Sequence, residues 1–388
     1  MSDPSPGGPS QQKLIHVALF AGFIITGMAC TILGPILPVF IARWNLSDMQ
    51  AGFFFTAQFA GSFLGVLLSS LLLSTRGYRE TLMLGFFLMA AGIARLDASS
   101  SHTALIATGV TGFGFGLAIP ATNLCIAEIA GLRRSAALNI LNMAWGSGAI
   151  ICPLLILAGL KAGIFTLALF SVALAALLLS ILFWSMKFGS KSASSKSPDS
   201  HHAQAHPPHV PFILAILFYV YVGTENGISG WAAEQARRIG SGSSATIVPM
   251  FFWAGLLSGR GISALVVSRV KENYLVLHGL ALSGLGTTLL LLASTRFQII
   301  CGVLLAGLGL ASIYPIFISW LSKLYGERAR RLGGFMFSLA ALGGATVPWV
   351  VGFVSQRSHS LRTGLLVPLA GCLAMIILVV ALRRRIAA

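Results

Sequence analysis

The sequence predicts an all-α membrane protein of twelve transmembrane helices, arranged as two pseudo-symmetric six-helix bundles. Three observations carry that prediction. Of the 388 residues, 56% are hydrophobic and 9% are charged, and the mean hydropathy is strongly positive. A soluble chain needs roughly 25% charged residues to cover its surface. Apolar runs of about 20 residues, the length that crosses a bilayer, recur along the whole chain. Finally, motifs of the first half return in the second at a spacing close to half the length.

In chain order, residues 1–13 form a polar, Pro/Gly/Ser-rich tail. The apolar run behind it is too long for the core of a cleavable signal peptide. Six spans follow, at residues 14–41, 49–73, 82–96, 103–129, 136–160 and 164–186, and make up the first bundle (14–186). The third is short. Residues 187–210 are rich in Ser, Lys and His without hydrophobic periodicity, the composition of a flexible cytoplasmic linker. The second bundle (211–382) contains spans at 211–233, 245–267, 274–293, 297–324, 332–354 and 361–382. A basic tail, 383–388, ends the chain.

The net charge of +16 is spread in short clusters between the apolar runs, as membrane topology requires, and forms no stripe that would hold nucleic acid. With the N-terminus in the cytoplasm, seventeen Lys and Arg fall on that side and eight on the other. Both termini and the linker are therefore expected to be cytoplasmic. The five cysteines lie inside apolar runs without a CxxC pair, which argues against zinc and against a disulfide framework. The cluster His201, His202, His206 and His209 sits in the linker and reads as solvated. The glycines at 112, 114 and 116 lie inside an apolar span, so a dinucleotide-binding loop fails on context. No hydrolytic triad, Walker loop or metal-ligand spacing is present. The chain is not expected to be an enzyme or to hold a cofactor or metal.

The internal repeat is specific. Spans four and ten read GFGFGLAIP (Gly112–Pro120) and GLGLASIYP (Gly307–Pro315), each followed by a basic turn at Arg133-Arg134 or Arg330-Arg331. Spans five and eleven share a glycine five residues before a proline: Gly148 and Pro153, then Gly343 and Pro348, both shifted by 195. Two parallel six-span repeats with a solute site between them is a transporter architecture.

These features resemble the major facilitator superfamily over the whole chain. Several strings are similar to its fucose/galactose/glucose:proton symporter branch: GPILPVF with LSDMQAGFFF, IPATNLCIAE, ALNILNMAWGSGAIICP, YVGTENGISGW and FFWAGLLSGR. The resemblance implies alternating access, a monosaccharide substrate and a monomeric protein. It also marks departures. The superfamily's acidic and basic loop between spans two and three is reduced here to SLLLSTRGYR, keeping Arg76, Gly77 and Arg79 with Ser74 where the acid would stand. The fucose permease carries its proton-linked acids in spans one and four. Here span one has none, and the residues before Asn123 are Ile119-Pro120-Ala121-Thr122.

Proton coupling therefore falls on Glu225, in the stretch YVYVGTENGISGW (219–231) of span seven. An ionisable residue inside a span costs free energy and marks function by default. Glu225 lies roughly 21 Å along its helix from Pro211 and Arg260 roughly 12 Å from the cytoplasmic end of span eight, so a permanent pair is not expected. A structural acid is the alternative for Glu225. Substrate-binding candidates are Gln58, Asn123, Asn142, Trp145, Tyr221, Asn226, Trp253, Arg260 and Tyr314. Amides donate and accept, and aromatic faces stack on pyranose rings. Plain interhelical bonding is the competing reading for the amides. Trp231 and Trp320 read as interfacial anchors. Arg76, Arg79, Glu128 and Arg133 are gating candidates, Glu128 as a salt-bridge partner of the basic turn.

The function expected is a secondary active transporter of a small polar solute, a monosaccharide, in symport with H⁺, with Na⁺ as the other coupling ion. An exporter of amphipathic compounds in the same fold is the alternative, and a non-transporting membrane receptor a third. Compact loops point to a bacterial inner membrane.

Overall fold

The computed structural model describes residues 9–186, 188, 209–240, 242–266, 269–325 and 329–386. Most of the linker, with His201, His202 and His206, lies outside the described residues, as do residues 1–8 and the last two. Within the described residues every regular element is helical.

Among the described residues the twelve apolar spans become fifteen α-helices, because three spans are interrupted. Span one divides into α1 (Pro9–Thr31) and α2 (Leu33–Trp44). The cause is Pro35: it lacks an N–H, and its ring crowds the carbonyl of Thr31 four residues earlier. The next five spans are α3 (Asp48–Thr75), α4 (Tyr78–Ala94), α5 (Ser101–Ala130), α6 (Arg134–Lys161) and α7 (Phe165–Ser185). Beyond the linker come α8 (His209–Arg238), α9 (Val248–Val266) and α10 (Glu272–Leu292). Span ten divides into α11 (Arg296–Leu310) and α12 (Ile313–Tyr325), and here Pro315 stands four residues after Ala311, repeating the cause. Then follow α13 (Ala329–Ser358), the four-residue α14 (Leu361–Gly364) and α15 (Leu366–Ile386). Among the described residues, eleven helical segments are long and apolar enough to cross a membrane. The third span, α4, is 17 residues and falls short of that set.

The chain divides into two compact units. The first comprises the described residues of Met1–Ile32, Ala57–Ile151 and Ala162–Asp199; the second those of Leu33–Thr56, Cys152–Lys161 and Ser200–Ala388. In the first, α4 packs on α5 and α7, with Phe86 and Phe183 5.2 Å apart in its core. In the second, α8 packs along α13 and also meets α2 and α15, while α11 lies between α9 and α10.

Matched glycines explain how each unit is assembled. A Cβ on Gly148 would lie 1.9 Å from the Ile24 carbonyl oxygen, and one on Gly343 2.0 Å from that of Tyr219. Gly112 meets the Gln58 carbonyl at 1.9 Å and Gly307 the Phe252 carbonyl at 2.1 Å. Ile24 and Tyr219 are themselves 195 apart, so the repeat seen in the sequence is a repeat of helix contacts. Without a hydrophobic drive between helices in lipid, backbone approach through small residues supplies the packing.

Candidate solute and proton site

Glu225 stands in the middle of α8, two turns below the buried Trp231, with part of its side chain open. The glycines around it do not break the helix. A Cβ on Gly223 would lie 2.4 Å from Val347 of α13, and one on Gly230 2.5 Å from Phe55, so both positions are small to admit a neighbour. Trp231 is fully buried and donates its indole N–H to the Pro348 carbonyl at 2.9 Å. It is a strut within the second unit, a correction to its reading as an interfacial anchor. Its N–H found a partner in a carbonyl of the proline-bearing α13, which sequence periodicity does not reveal.

Three of the predicted residues gather around Glu225 within the second unit. Tyr221 stands one turn before Glu225 on α8, near enough for its hydroxyl and the carboxyl to influence one another. That same hydroxyl lies 3.2 Å from the Leu310 carbonyl oxygen at the end of α11. Arg260 of α9 acts on Glu225 and on both tyrosines through its charge, without a direct ion pair among the described residues, and its Nε has no partner. Tyr314 of α12 packs against Tyr221 with ring centroids 5.4 Å apart. Phe218, Phe317 and Phe337 surround this pair, with Phe218 edge-on to Tyr314 at 5.4 Å. The result is one carboxyl and one guanidinium held apart, two phenols, and an aromatic wall. A polar solute with hydroxyls could bridge the two charges while its apolar face meets the rings.

The remaining candidates are placed differently. Asn226 donates to the Val222 carbonyl at 2.9 Å on its own helix. Trp253 is buried, edge-on to Phe252 at 5.1 Å. In the first unit Gln58 is 1% exposed; its amide donates to the carbonyls of Ala29 at 3.1 Å and Cys30 at 3.3 Å, and its oxygen has no partner. An unpaired buried oxygen costs about 1–3 kcal/mol, so this acceptor is poised for a donor. Asn123 and Asn142 donate to the Ile119 and Leu138 carbonyls, each at 2.9 Å and each one turn back on the same helix. Trp145 is half-buried, its backbone against Gly27. Among the gating candidates, Arg76, Arg79 and Arg133 are exposed. Glu128 lies near the Tyr78 hydroxyl, and among the described residues it makes no ion pair with Arg133.

Sequence reasoning missed a cluster in the second unit. Glu234, with no exposed surface, takes two hydrogen bonds from Arg237 at 2.7 Å and one from Arg238 Nε at 2.8 Å. Arg238 also pairs with Asp48 at the start of α3, and the Ser355 hydroxyl of α13 donates to Asp48 at 2.5 Å. The Met49 amide donates to Gln356 at 3.2 Å. The spacing EQARR, an acid with bases three and four residues on, was the available signal. Asp48 lies too far away in sequence for that signal to include it.

Several known proteins resemble the chain. Over 78 residues it is 28% identical to YcaD of Escherichia coli, an uncharacterised transporter; the match spans only 20% of either chain. Its fold matches a bacterial homologue of the human lysosomal transporter Spinster, with a TM-score of 0.80, 13% identity and 98% of both chains covered. It also matches the fucose:proton symporter of E. coli, with a TM-score of 0.64, 18% identity, and 96% and 99% of the two chains covered. The model of the Major Facilitator Superfamily matches residues 19–348. Those 330 residues take in both halves of the repeat: the chain belongs to the Major Facilitator Superfamily, and it is a multi-pass membrane transporter rather than an enzyme.

Proposed function

We propose that this protein moves a monosaccharide across the membrane in symport with protons, by alternating access. Glu225 carries the proton, and Tyr221, Arg260 and Tyr314 contact the solute. The observation that supports this reading best is the separation of charges in the second unit: a carboxyl in mid-span beside a buried phenol, with no ion pair to Arg260 among the described residues. A structural acid would hold its arginine directly, because a buried carboxylate is strongly favoured by a hydrogen-bonded partner. The fold likeness to a fucose:proton symporter agrees with this choice of substrate class.

Gln58, Asn123, Asn142, Trp145, Asn226 and Trp253 complete the solute contacts in this reading. The two six-span halves, 14–186 and 211–382, rock about the site, with Arg76, Arg79, Glu128 and Arg133 closing the cytoplasmic face. The protein acts as a monomer in a bacterial inner membrane, with both termini in the cytoplasm. The aromatic wall of Phe218, Phe317 and Phe337 favours a second reading, export of amphipathic compounds by proton antiport.

The test is uptake into proteoliposomes, acid outside, of radiolabelled D-glucose, D-galactose, L-fucose and D-xylose. Accumulation of at least one, abolished by a protonophore, is expected. No accumulation of any sugar, together with proton-driven export of a lipophilic cation from everted vesicles, would replace the first reading by the second.

A further inference from the structure

Residues 33–56 belong to the first half of the sequence repeat, yet they pack within the second unit. There α2 lies against α8, and the start of α3 is tied to both α8 and α13. Asp48, the first residue of α3, makes the tie: it pairs with Arg238 of α8 and accepts the Ser355 hydroxyl of α13 at 2.5 Å. The Met49 amide adds a bond to the Gln356 side chain at 3.2 Å. Deeper along the same seam, Phe53 meets Trp349 with ring centroids 5.8 Å apart, and the Thr56 hydroxyl donates to the Ala345 carbonyl at 2.7 Å. The position 195 residues after Asp48 is Ser243, so the tie has no acidic counterpart in the second half of the sequence.

Arg238 divides its bonds between two acids. Its Nε donates to Glu234 at 2.8 Å, and its Nη2 pairs with Asp48. Because different nitrogens serve the two acids, Asp48 can leave without disturbing Glu234. Glu234 has no exposed surface and also takes two bonds of 2.7 Å from Arg237, so it keeps Arg238 in place and partnered. Asp48 is held less deeply. Its side chain is 12% exposed, that of Arg238 is 30% exposed, and Gln356 is exposed, so water can take over each bond as the groups part. A buried pair is costly to break when it strands a charge without a partner, and parting Asp48 from Arg238 strands none.

We propose that Asp48 is a gating residue: it locks the start of α3 onto α8 and α13, and transport requires that lock to open, with Glu234 holding Arg238 in the meantime. Arg76 lies at the far end of α3 from Asp48, so this lock serves the face opposite the gating candidates read from the sequence. The inference rests on the rocking of the two halves in the proposed cycle, and on neither Glu225 nor the identity of the solute.

Ala345 reports on the seam, being 4% exposed and about 15 Å along α13 from Ser355. Ala345→Cys in the full chain is labelled with a membrane-impermeant maleimide, from one face in intact cells and from the other in everted vesicles. Labelling of the chain without that cysteine is subtracted. Adding Asp48→Asn should raise the rate about tenfold from the face that carries residues 45–47, the weight of its charge-assisted bonds, and leave the other face within about twofold. Glu234→Gln, which removes the holding acid and leaves Asp48 on Arg238, should not raise it. No rise in Asp48→Asn overturns the lock. So does an equal rise from both faces, or the same rise in Glu234→Gln, each the mark of general loosening. If Asp48→Asn does not fold, Ser355→Ala serves: a smaller rise from the same face is expected, and its absence overturns the lock. Neither solute nor proton gradient enters this assay, so its failure is separate from a failure of the uptake panel.

Discussion

Glu234 carries no exposed surface, yet it is an acid at the end of a membrane helix. It is tolerated because Arg237 and Arg238 reach back one turn to both of its oxygens. Removing the charge leaves two arginines that are 40% and 30% exposed and can partly return to water. Glu234→Gln is therefore expected to destabilise by only about 1–3 kcal/mol, less than for a fully buried pair. Thermal unfolding in detergent measures this, and an unchanged midpoint would mean the cluster is decorative. The local part of the cluster was legible, since EQARR places acid and bases on one helical face. Its attachment to Asp48 and Ser355 was not, because those contacts span 190 residues and more and depend on how helices meet. Glu225 was legible for the opposite reason: an acid within an apolar run stands out whatever its neighbours do.

At the level of elements, small residues and prolines decide where helices touch and where they stop. Gly148→Ala and Gly343→Ala each put a methyl within about 2 Å of a carbonyl oxygen. Each should destabilise its own unit by about 1–3 kcal/mol, the usual cost of overpacking. Gly261 in α9 has nothing within 4 Å of its Cβ position, so Gly261→Ala should leave stability unchanged or raise it by up to about 1 kcal/mol. Folded yield and melting temperature of the three variants provide the comparison; equal behaviour would remove the packing role assigned to the repeat. The sequence revealed the repeat through the positions of Gly148 and Gly343. It did not reveal their partners, Ile24 and Tyr219, because a carbonyl oxygen leaves no mark on residue identity. The interruptions at Ile32 and at Ala311–Ser312 could have been foreseen from Pro35 and Pro315. Pro120, Pro153 and Pro348 sit inside continuous helices, however, so proline alone does not predict a break.

For the whole molecule, the superfamily follows from residues 19–348, and the division into many apolar helices follows from composition alone. The excess of Lys and Arg on one set of loops predicts a cytoplasmic C-terminus. A C-terminal fluorescent-protein fusion should be bright, and a C-terminal alkaline-phosphatase fusion inactive; the reverse pattern would invert the orientation. The candidate site was partly legible as residue types: Tyr221, Glu225, Arg260 and Tyr314 stand out in the sequence, and the fold places them near one another in the second unit. Asn123 and Asn142 were candidates for the same reason, but each spends its amide on its own helix, a choice that only rotamer geometry discloses.

The central claim is that Glu225 couples solute movement to a proton, and a comparison of two transport modes tests it most directly. With a sugar identified by the uptake panel, Glu225→Gln should lose pH-gradient-driven accumulation while solute counterflow stays within about twofold of wild type, since a permanently neutral side chain still permits exchange of a loaded carrier. Equal loss of accumulation and counterflow would instead make Glu225 a binding or structural residue, and undiminished accumulation would place the coupling proton on another group.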